Sequence, residues 1–221
     1  MKAKTVIFDM DGVIFDSERL YIECCVEAAK PLGMENIVET CYRCIGVTTG
    51  VTEEILLEAY RDAGLVAEFR ERSVQLFSDR CRAGELETKS GAADLLQALN
   101  EAGVPTAIAS STRTDIVRNE LLEAGLLNYF SVVVGGDQVR RSKPNPDIFL
   151  KAATLLDMKP EECLVIEDSY NGIRAAKAAG MTALMVPDLL EPNEEIKGLA
   201  DHIVSSLVEV KAHLADFVAL N

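Results

Sequence analysis

The chain has 221 residues, of which 48% are hydrophobic and 26% charged, and its formal net charge at pH 7 is -14. This length suits one core domain with a smaller inserted domain, because domains typically contain about 100 to 200 residues. The acidic excess argues against nucleic acid and anionic membranes as partners, since both bind basic surfaces. No apolar run approaches the roughly 18 residues of a membrane span and no signal peptide precedes the first strand, so we expect a cytoplasmic protein.

The first predicted element is a buried strand that begins at Thr5. Its β-branched and aromatic residues run to Phe8, and Asp9 and Asp11 follow immediately before Gly12. Two carboxylates this close are unfavourable unless a cation or a shared proton offsets their charge. The strand end is therefore either an acidic turn or part of a site that binds a cation.

The next region is predicted to be helical. One helix begins at Asp16-Ser17-Glu18 and ends before Pro31, a second runs from Thr52 to Gly64, and a third spans residues 67–81. We therefore predict a helical cap domain at residues 16–87, inserted into an α/β core domain formed by residues 1–15 and 88–221.

Six cysteines raise the question of a metal site. Cys41 and Cys44 have the spacing of half a zinc site, but the second half is missing from the sequence. We expect most of the thiols to be small core residues that remain reduced.

From Ser90 onward, apolar strands alternate with helices. Strands are predicted at residues 104–109, 131–134, 163–166 and 182–186, a short edge strand at 202–204, and a final helix at 207–218. A helix capped by Asn145, with Pro146 at its first position, is predicted to run to Asp157. This alternation predicts a doubly wound, Rossmann-like parallel sheet with helices on both faces.

Polar residues follow four of the predicted strands. In a doubly wound parallel sheet, ligands bind beyond the carboxyl ends of the strands. Besides Asp9 and Asp11, those ends supply the following residues: Ser110-Ser111-Thr112, Lys143 and Glu167-Asp168. Each group alone has a structural explanation, as a helix cap, a solvated lysine or acidic residues that favour a helix N-terminus. Together they predict a phosphate-handling site.

The chemistry of such a site assigns a role to each group. Asp9 and Asp168 supply the oxygen ligands that Mg2+ prefers, while Ser110, Ser111 and Lys143 are expected to bind phosphate oxygens. A carboxylate in line with phosphorus can attack it and form an aspartyl-phosphate, which makes Asp9 the candidate nucleophile. Asp11 is then placed to protonate the leaving oxygen and afterwards to deprotonate a water molecule.

These segments resemble the four ordered motifs of the haloacid dehalogenase-like hydrolases, in the branch of β-phosphoglucomutase and sugar-phosphate phosphatases with a small α-helical cap. The matching segments are Val6-Ile7-Phe8-Asp9-Met10-Asp11-Gly12-Val13, Ser110-Ser111-Thr112, Lys143-Pro144 and Ile166-Glu167-Asp168-Ser169-Tyr170-Asn171-Gly172. The resemblance implies an Asp9 nucleophile, Asp11 as acid and base, and Mg2+ held by Asp9, the Asp11 carbonyl and Asp168. It also implies that Glu167 lies at or beside the metal.

The cap departs from the pattern of the mutases in this branch. Where they have a histidine, a lysine and an arginine, this sequence has Tyr21, Ile45 and Thr49, and the missing arginine is the group that grips a second phosphate. Tyr21, Arg43, Gly46 and Thr49 are the candidate specificity residues, because the cap is expected to close over the leaving group.

The resulting hypothesis is a magnesium-dependent phosphatase that acts on a small phosphorylated metabolite, either a sugar phosphate or a sugar-acid phosphate. A β-phosphoglucomutase-type phosphomutase and a non-catalytic binding or regulatory protein are the alternatives. We expect a monomer or a weak dimer, with neither nucleic acid nor membrane as a partner.

Overall fold

The structure is a computed structural model, and it describes residues 2–45 and 49–220 of the chain. The chain forms two compact units, one made of Met1–Phe15 with Thr88–Asn221 and the other of Asp16–Glu87. We call them the core unit and the insert unit. That they act as a catalytic domain and a cap domain remains a prediction.

The core unit contains a six-stranded sheet in the order β3-β2-β1-β4-β5-β6, and all neighbouring strands are parallel. The strands are β1 (Thr5–Phe8), β2 (Thr106–Ala109), β3 (Val132–Val134), β4 (Cys163–Glu167), β5 (Thr182–Met185) and β6 (His202–Ile203). In the register of the central strands, Ile7 lies opposite both Ala107 and Val165. This sheet confirms the predicted doubly wound α/β fold.

Eleven α-helices accompany the sheet in the described part of the chain. Those of the insert unit are α1 (Ser17–Ala29), α2 (Ile37–Cys44), α3 (Thr49–Tyr60) and α4 (Ala63–Arg82). Those of the core unit are α5 (Ala92–Glu101), α6 (Thr114–Glu123), α7 (Asp147–Leu155), α8 (Tyr170–Ala178), α9 (Glu194–Leu199), α10 (Leu207–Ala212) and α11 (Leu214–Phe217). Among residues 2–45 and 49–220, none of these helices is long and apolar enough to cross a membrane.

Helices cover the sheet and leave its central strands without access to water. Every residue of β1, β2 and β4 is buried, as expected for parallel strands with helices on both faces. On one face, Ile7 and Val165 pack in the same cluster as Phe149 of α7 and Ile173 of α8. The strand ends are therefore rigid positions from which to present polar groups.

The insert unit has its own apolar cluster. Cys25 and Ala28 of α1, Cys41 of α2, Leu56 of α3 and Phe69 of α4 are all buried in it. All six cysteines are free thiols, and Cys41 is a core residue as expected.

Several predicted helix ends are wrong. Gly64 does not end a helix but lies in the first turn of α4, because the side chain of Asp62 caps that helix by accepting a hydrogen bond from the Leu65 amide at 3.0 Å. The predicted final helix is divided at His213 into α10 and α11. Helix α7 begins at Asp147, with Pro146 as its N-cap residue.

Two more elements differ from expectation. Helix α9 was not predicted, although Asn193 is a standard cap whose side chain accepts from the Ile196 amide at 2.9 Å. Asn145 does not cap α7; its side-chain amide donates to the carbonyl oxygen of Ser142 at 3.1 Å.

Candidate active site

The candidate active site lies where β1, β2 and β4 end. Asp9 follows β1 directly, Ser110 follows β2, and Asp168 follows β4, whose last residue is Glu167. All four are buried, and so is Lys143, which comes from the loop between β3 and α7. The parallel sheet thus brings to one edge residues that are far apart in sequence.

Lys143 is the centre of this group. Its ammonium nitrogen pairs with a carboxylate oxygen of Asp9, and it donates to Oε1 of Glu167 at 2.7 Å and to the Ala109 carbonyl oxygen at 3.0 Å. It also lies 5.0 Å from the centre of the Phe149 ring. Burial alone would lower the pKa of Lys143, but the carboxylates of Asp9 and Glu167 raise it above its ordinary value, so the side chain is a permanent cation.

The single positive charge of Lys143 does not neutralise all of the carboxylates around it. Burial raises the pKa of Asp9 to about 8, and the carboxylates of Glu167 and Asp11 add to the rise, whereas Lys143 opposes it. A nucleophilic carboxylate must be ionised, so further positive charge at this edge of the sheet would favour the reactive form of Asp9, the candidate nucleophile.

Glu167 is held by groups on both of its oxygens. Oε1 accepts from Lys143, and Oε2 accepts from the amide and the hydroxyl of Ser169, at 2.8 and 2.9 Å. Ser169 also caps α8, since its hydroxyl oxygen accepts from the Gly172 amide at 3.0 Å. Glu167 therefore orients Lys143, and the start of α8 orients Glu167.

Gly172 leaves the space that the Glu167 carboxylate occupies. A Cβ atom at this position would lie 1.7 Å from Oε1 of Glu167. We expect Gly172→Ala to displace that carboxylate, to destabilise the protein by about 2 to 3 kcal/mol or more as overpacked buried sites do, and to reduce activity. Urea unfolding, followed by circular dichroism, measures the change.

Gly198→Ala is the matched control for this substitution. Gly198 lies inside α9, and a Cβ atom there would meet nothing within 4 Å. The control should be stabilised by about 0.5 to 1 kcal/mol, because alanine loses less backbone entropy on folding. Equal stability of the two variants would show that the space beside Glu167 is not restricted.

Asp11 accepts hydrogen bonds from two hydroxyl groups. Its Oδ2 accepts from the Thr112 hydroxyl at 2.9 Å and from the Ser110 hydroxyl at 3.3 Å. The Ser110 oxygen in turn accepts from the Thr112 amide at 3.0 Å. The acid and base candidate is thus attached to the loop that follows β2.

A metal ion would fit beside these carboxylates. Oxygen atoms of Asp9, Glu167 and Asp168 lie within 4.8 Å of one another, and all three residues are buried. Asp168 lies against Gly12, where a Cβ atom would be 2.3 Å from its Oδ2. Buried carboxylate oxygens in excess of the nearby positive charge suit a hard divalent cation. Both oxygens of Glu167 already accept hydrogen bonds, which favours a place beside the metal for Glu167 rather than a direct bond to it.

The structure brings the predicted catalytic, metal and phosphate residues of the core unit together, except for one side chain. Ser110 and Lys143 are buried among the carboxylates, whereas Ser111 is exposed. The backbone at Ser111 is packed closely, since a Cβ atom at Gly136 would lie 2.3 Å from its carbonyl oxygen. The roles of these residues remain predictions.

The predicted specificity residues belong to the insert unit. The Tyr21 hydroxyl lies 3.3 Å from that of Ser73, its ring packs edge-on against Phe77, and burial raises its pKa to about 12. Arg43 forms an exposed ion pair with Glu58 at 2.6 Å. Gly46 lies outside the described residues, and of Thr49 the structure gives only its place at the start of α3.

The sequence did not reveal the groups that support the site. Its pattern indicates that Thr112 belongs to the loop after a strand but not that it bonds to Asp11, and nothing in it links Ser169 to Glu167. The one usable signal was Gly172, because a glycine in the first turn of a helix has a cost that a close contact can explain.

Comparisons with known proteins show which family and which structures this chain is similar to. Residues 6–186 match the family model described as haloacid dehalogenase-like hydrolase. A phosphorylated carbohydrates phosphatase of Thermotoga maritima is 34% identical over 80% of this chain and 82% of its own. A bifunctional riboflavin kinase/FMN phosphatase of Arabidopsis thaliana is also 34% identical, but the chain spans only 52% of its length. The crystal structure of CbbY from Rhodobacter sphaeroides in complex with phosphate superposes with a TM-score of 0.74, at 28% identity, over 95% of this chain and 96% of that one.

Proposed function

Because the chain belongs to the haloacid dehalogenase-like hydrolases, we propose that it is a magnesium-dependent phosphatase that hydrolyses a small phosphorylated metabolite through an aspartyl-phosphate on Asp9. It is a phosphoric monoester hydrolase, as its relatives named as phosphatases indicate. A sugar phosphate or a sugar-acid phosphate is the proposed substrate class.

One observation carries this proposal: the buried Asp9 carboxylate lies in contact with a buried ammonium group and beside a second strand end that bears Asp168. If the Asp9 carboxylate had only a structural role, its ion pair with Lys143 would be sufficient to stabilise it. Here the carboxylates carry more negative charge than the one ammonium group can neutralise. This excess of negative charge suits the binding of a metal ion together with an anionic ligand.

The residues supply each part of a two-step phosphoryl transfer. In the first step, a carboxylate oxygen of Asp9 forms a bond to phosphorus while the bond from phosphorus to the leaving oxygen breaks, and Asp11 gives its proton to that oxygen. In the second step, Asp11 takes a proton from water, the water oxygen bonds to phosphorus, and the Asp9 carboxylate is released. Ser110 and Lys143 bind the phosphoryl oxygens in both steps.

Mg2+ held by Asp9 and Asp168, with the Asp11 carbonyl as the third proposed ligand, would neutralise charge on the phosphoryl oxygens. We expect chelation to abolish phosphate release and added Mg2+ to restore it. The measurement is released phosphate in EDTA, followed by titration with MgCl2. Full activity in excess chelator would remove the metal from the proposal.

The test of function is a phosphate-release screen with Mg2+ present. Sugar, sugar-acid, polyol and nucleotide monophosphates are compared, and the Asp9→Asn protein serves as the blank for contaminating phosphatases. We expect release from sugar phosphates or sugar-acid phosphates above all others. If none of the monoesters is hydrolysed but β-glucose 1-phosphate is converted to glucose 6-phosphate with a bisphosphate activator, the phosphomutase replaces the phosphatase.

Selection among substrates is assigned to the insert unit. Tyr21, Arg43, Gly46 and Thr49 are the proposed determinants, and the mutase alternative would require one of the cations of that unit to bind a second phosphate. Arg43 is available for this purpose at low cost, since exposed ion pairs such as that with Glu58 contribute only about 0 to 1 kcal/mol.

A further inference from the structure

The hydrogen bonds to Asp11 point to a residue with no assigned role. Within the described part of the chain, only the hydroxyls of Ser110 and Thr112 donate to its side chain, and both bond to Oδ2. The bond from Thr112 is the shorter, at 2.9 Å against 3.3 Å. Asp11 is partly buried, and two hydrogen bonds to the same oxygen restrict the rotation of its carboxyl group.

The two hydroxyls do not remain equivalent when substrate binds. Ser110 is fully buried and is the proposed ligand of the phosphoryl group, so its hydroxyl hydrogen is needed for a phosphoryl oxygen. Its oxygen accepts from the Thr112 amide at 3.0 Å, which fixes the oxygen but leaves the hydrogen free to turn. Once the hydrogen turns to phosphate, Thr112 is the donor that remains to Asp11.

We propose that Thr112 is a positioning residue for the acid and base Asp11, and that its hydroxyl holds Oδ2 so that Oδ1 carries the proton to the leaving oxygen. This inference rests on the proposed function. The first step of the reaction is otherwise as described above: the proton moves from Oδ1 of Asp11 to the leaving oxygen as the bond from phosphorus to that oxygen breaks. Oδ2 keeps its hydrogen bond from Thr112 throughout, because an oxygen that accepts from a hydroxyl does not need the proton itself.

The test uses the dependence of rate on the leaving group. An alkyl phosphate needs its leaving oxygen protonated, whereas p-nitrophenyl phosphate has a good leaving group and needs little help. In a reaction through a phosphoenzyme, kcat/KM covers the steps up to release of the leaving group. We therefore expect Thr112→Val to reduce kcat/KM for alkyl phosphates by about tenfold or more and for p-nitrophenyl phosphate by less than about threefold, since general acid catalysis contributes 100-fold to 10,000-fold.

Two further variants separate positioning from a general structural effect. Thr112→Ser retains the hydroxyl and should restore the wild-type dependence on leaving group. Thr114→Val removes a neighbouring hydroxyl that donates to Asp137 at 2.7 Å and not to Asp11. It should lower the rates for both ester types equally, if at all.

The outcomes distinguish this inference from the proposed function. Equal losses for alkyl and aryl esters in Thr112→Val, or no loss, would overturn the role of Thr112 while leaving the phosphatase intact. A wild-type protein that hydrolyses neither ester type would instead remove the proposed function on which the inference rests. Failure of Thr112→Ser to restore the dependence would show that the threonine methyl group, not its hydroxyl, matters.

Discussion

Replacing Asp9 by asparagine is expected to reduce phosphate release by at least about 10,000-fold, as is typical when a covalent nucleophile is removed. Asparagine has the same shape, but its neutral amide cannot attack phosphorus to form the acyl phosphate that water then hydrolyses. Lys143 keeps its bonds to Glu167 and to the Ala109 carbonyl oxygen, so the buried ammonium is still paired and the fold is retained. Far-UV circular dichroism and a urea midpoint check the fold, and single-turnover assays check the chemistry.

Asp94→Asn is the matched control for the loss of one carboxylate. Asp94 is exposed on α5, and its Oδ2 lies 3.9 Å from the ammonium nitrogen of Lys211. This variant should retain the wild-type rate within about twofold, because exposed charges contribute little. If Asp9→Asn turned over substrate as fast as Asp94→Asn, the covalent mechanism would be wrong.

Replacing Lys143 by methionine is expected to have the largest effect on stability. The side chains of Asp9 and Glu167 are almost fully buried, and both pair with Lys143. Removing one partner of a buried ion pair leaves uncompensated charge and costs about 3 to 5 kcal/mol, whereas methionine retains most of the volume. Phosphate release should also fall by about 100-fold or more, because a cation that stabilises the phosphoryl oxygens is lost.

Two further variants test whether the loss of stability in Lys143→Met comes from unpaired buried carboxylates. Lys177→Met removes a partly exposed ion pair with Asp201 and should cost no more than about 1 kcal/mol. The double variant Lys143→Met with Glu167→Met should recover part of the stability, because one of the two stranded carboxylates is gone. A single Lys143→Met variant as stable as Lys177→Met would mean that the buried charges do not depend on Lys143.

The sequence was sufficient to predict the sheet and the residues at its edge. Runs such as Thr5–Phe8 are apolar on both faces, and only a parallel sheet between helices buries them fully. Because parallel strands share one carboxyl edge, Asp9, Ser110 and Asp168 could be placed near one another without knowledge of their contacts.

Helix ends were harder to predict than strands, because competing local signals are of similar strength. Gly64 is a typical stop signal, but the capping bond that Asp62 accepts from the Leu65 amide outweighs the cost of a glycine in the first turn of α4. The break at His213 leaves two short helices that no glycine or proline marks, so the apolar pattern around it looked continuous.

The supporting contacts of the site depend on distances that no sequence pattern encodes. The bonds of Lys143 join residues 24 to 134 positions apart, and their existence follows from the packing of the whole sheet. Thr112 could be assigned to a phosphate loop by its position, but that its hydroxyl would bond to Asp11 could not be predicted, because a threonine after a strand also serves as a turn or cap residue.

The ammonium of Lys143 has a consequence for how the protein acquires activity. Its three oxygen partners stand at the ends of β1, β2 and β4, which are neighbours in the sheet, although the first and last of these partners, Asp9 and Glu167, are more than half of the chain apart in sequence. Contacts of such long range form only after the intervening loops have closed. No fragment of the core unit shorter than residues 9–167 holds these partners together, so a nascent or truncated chain that lacks β4 contains Asp9, the proposed nucleophile, without Glu167 to orient Lys143 beside it. Catalytic competence is thus a property of the completed sheet.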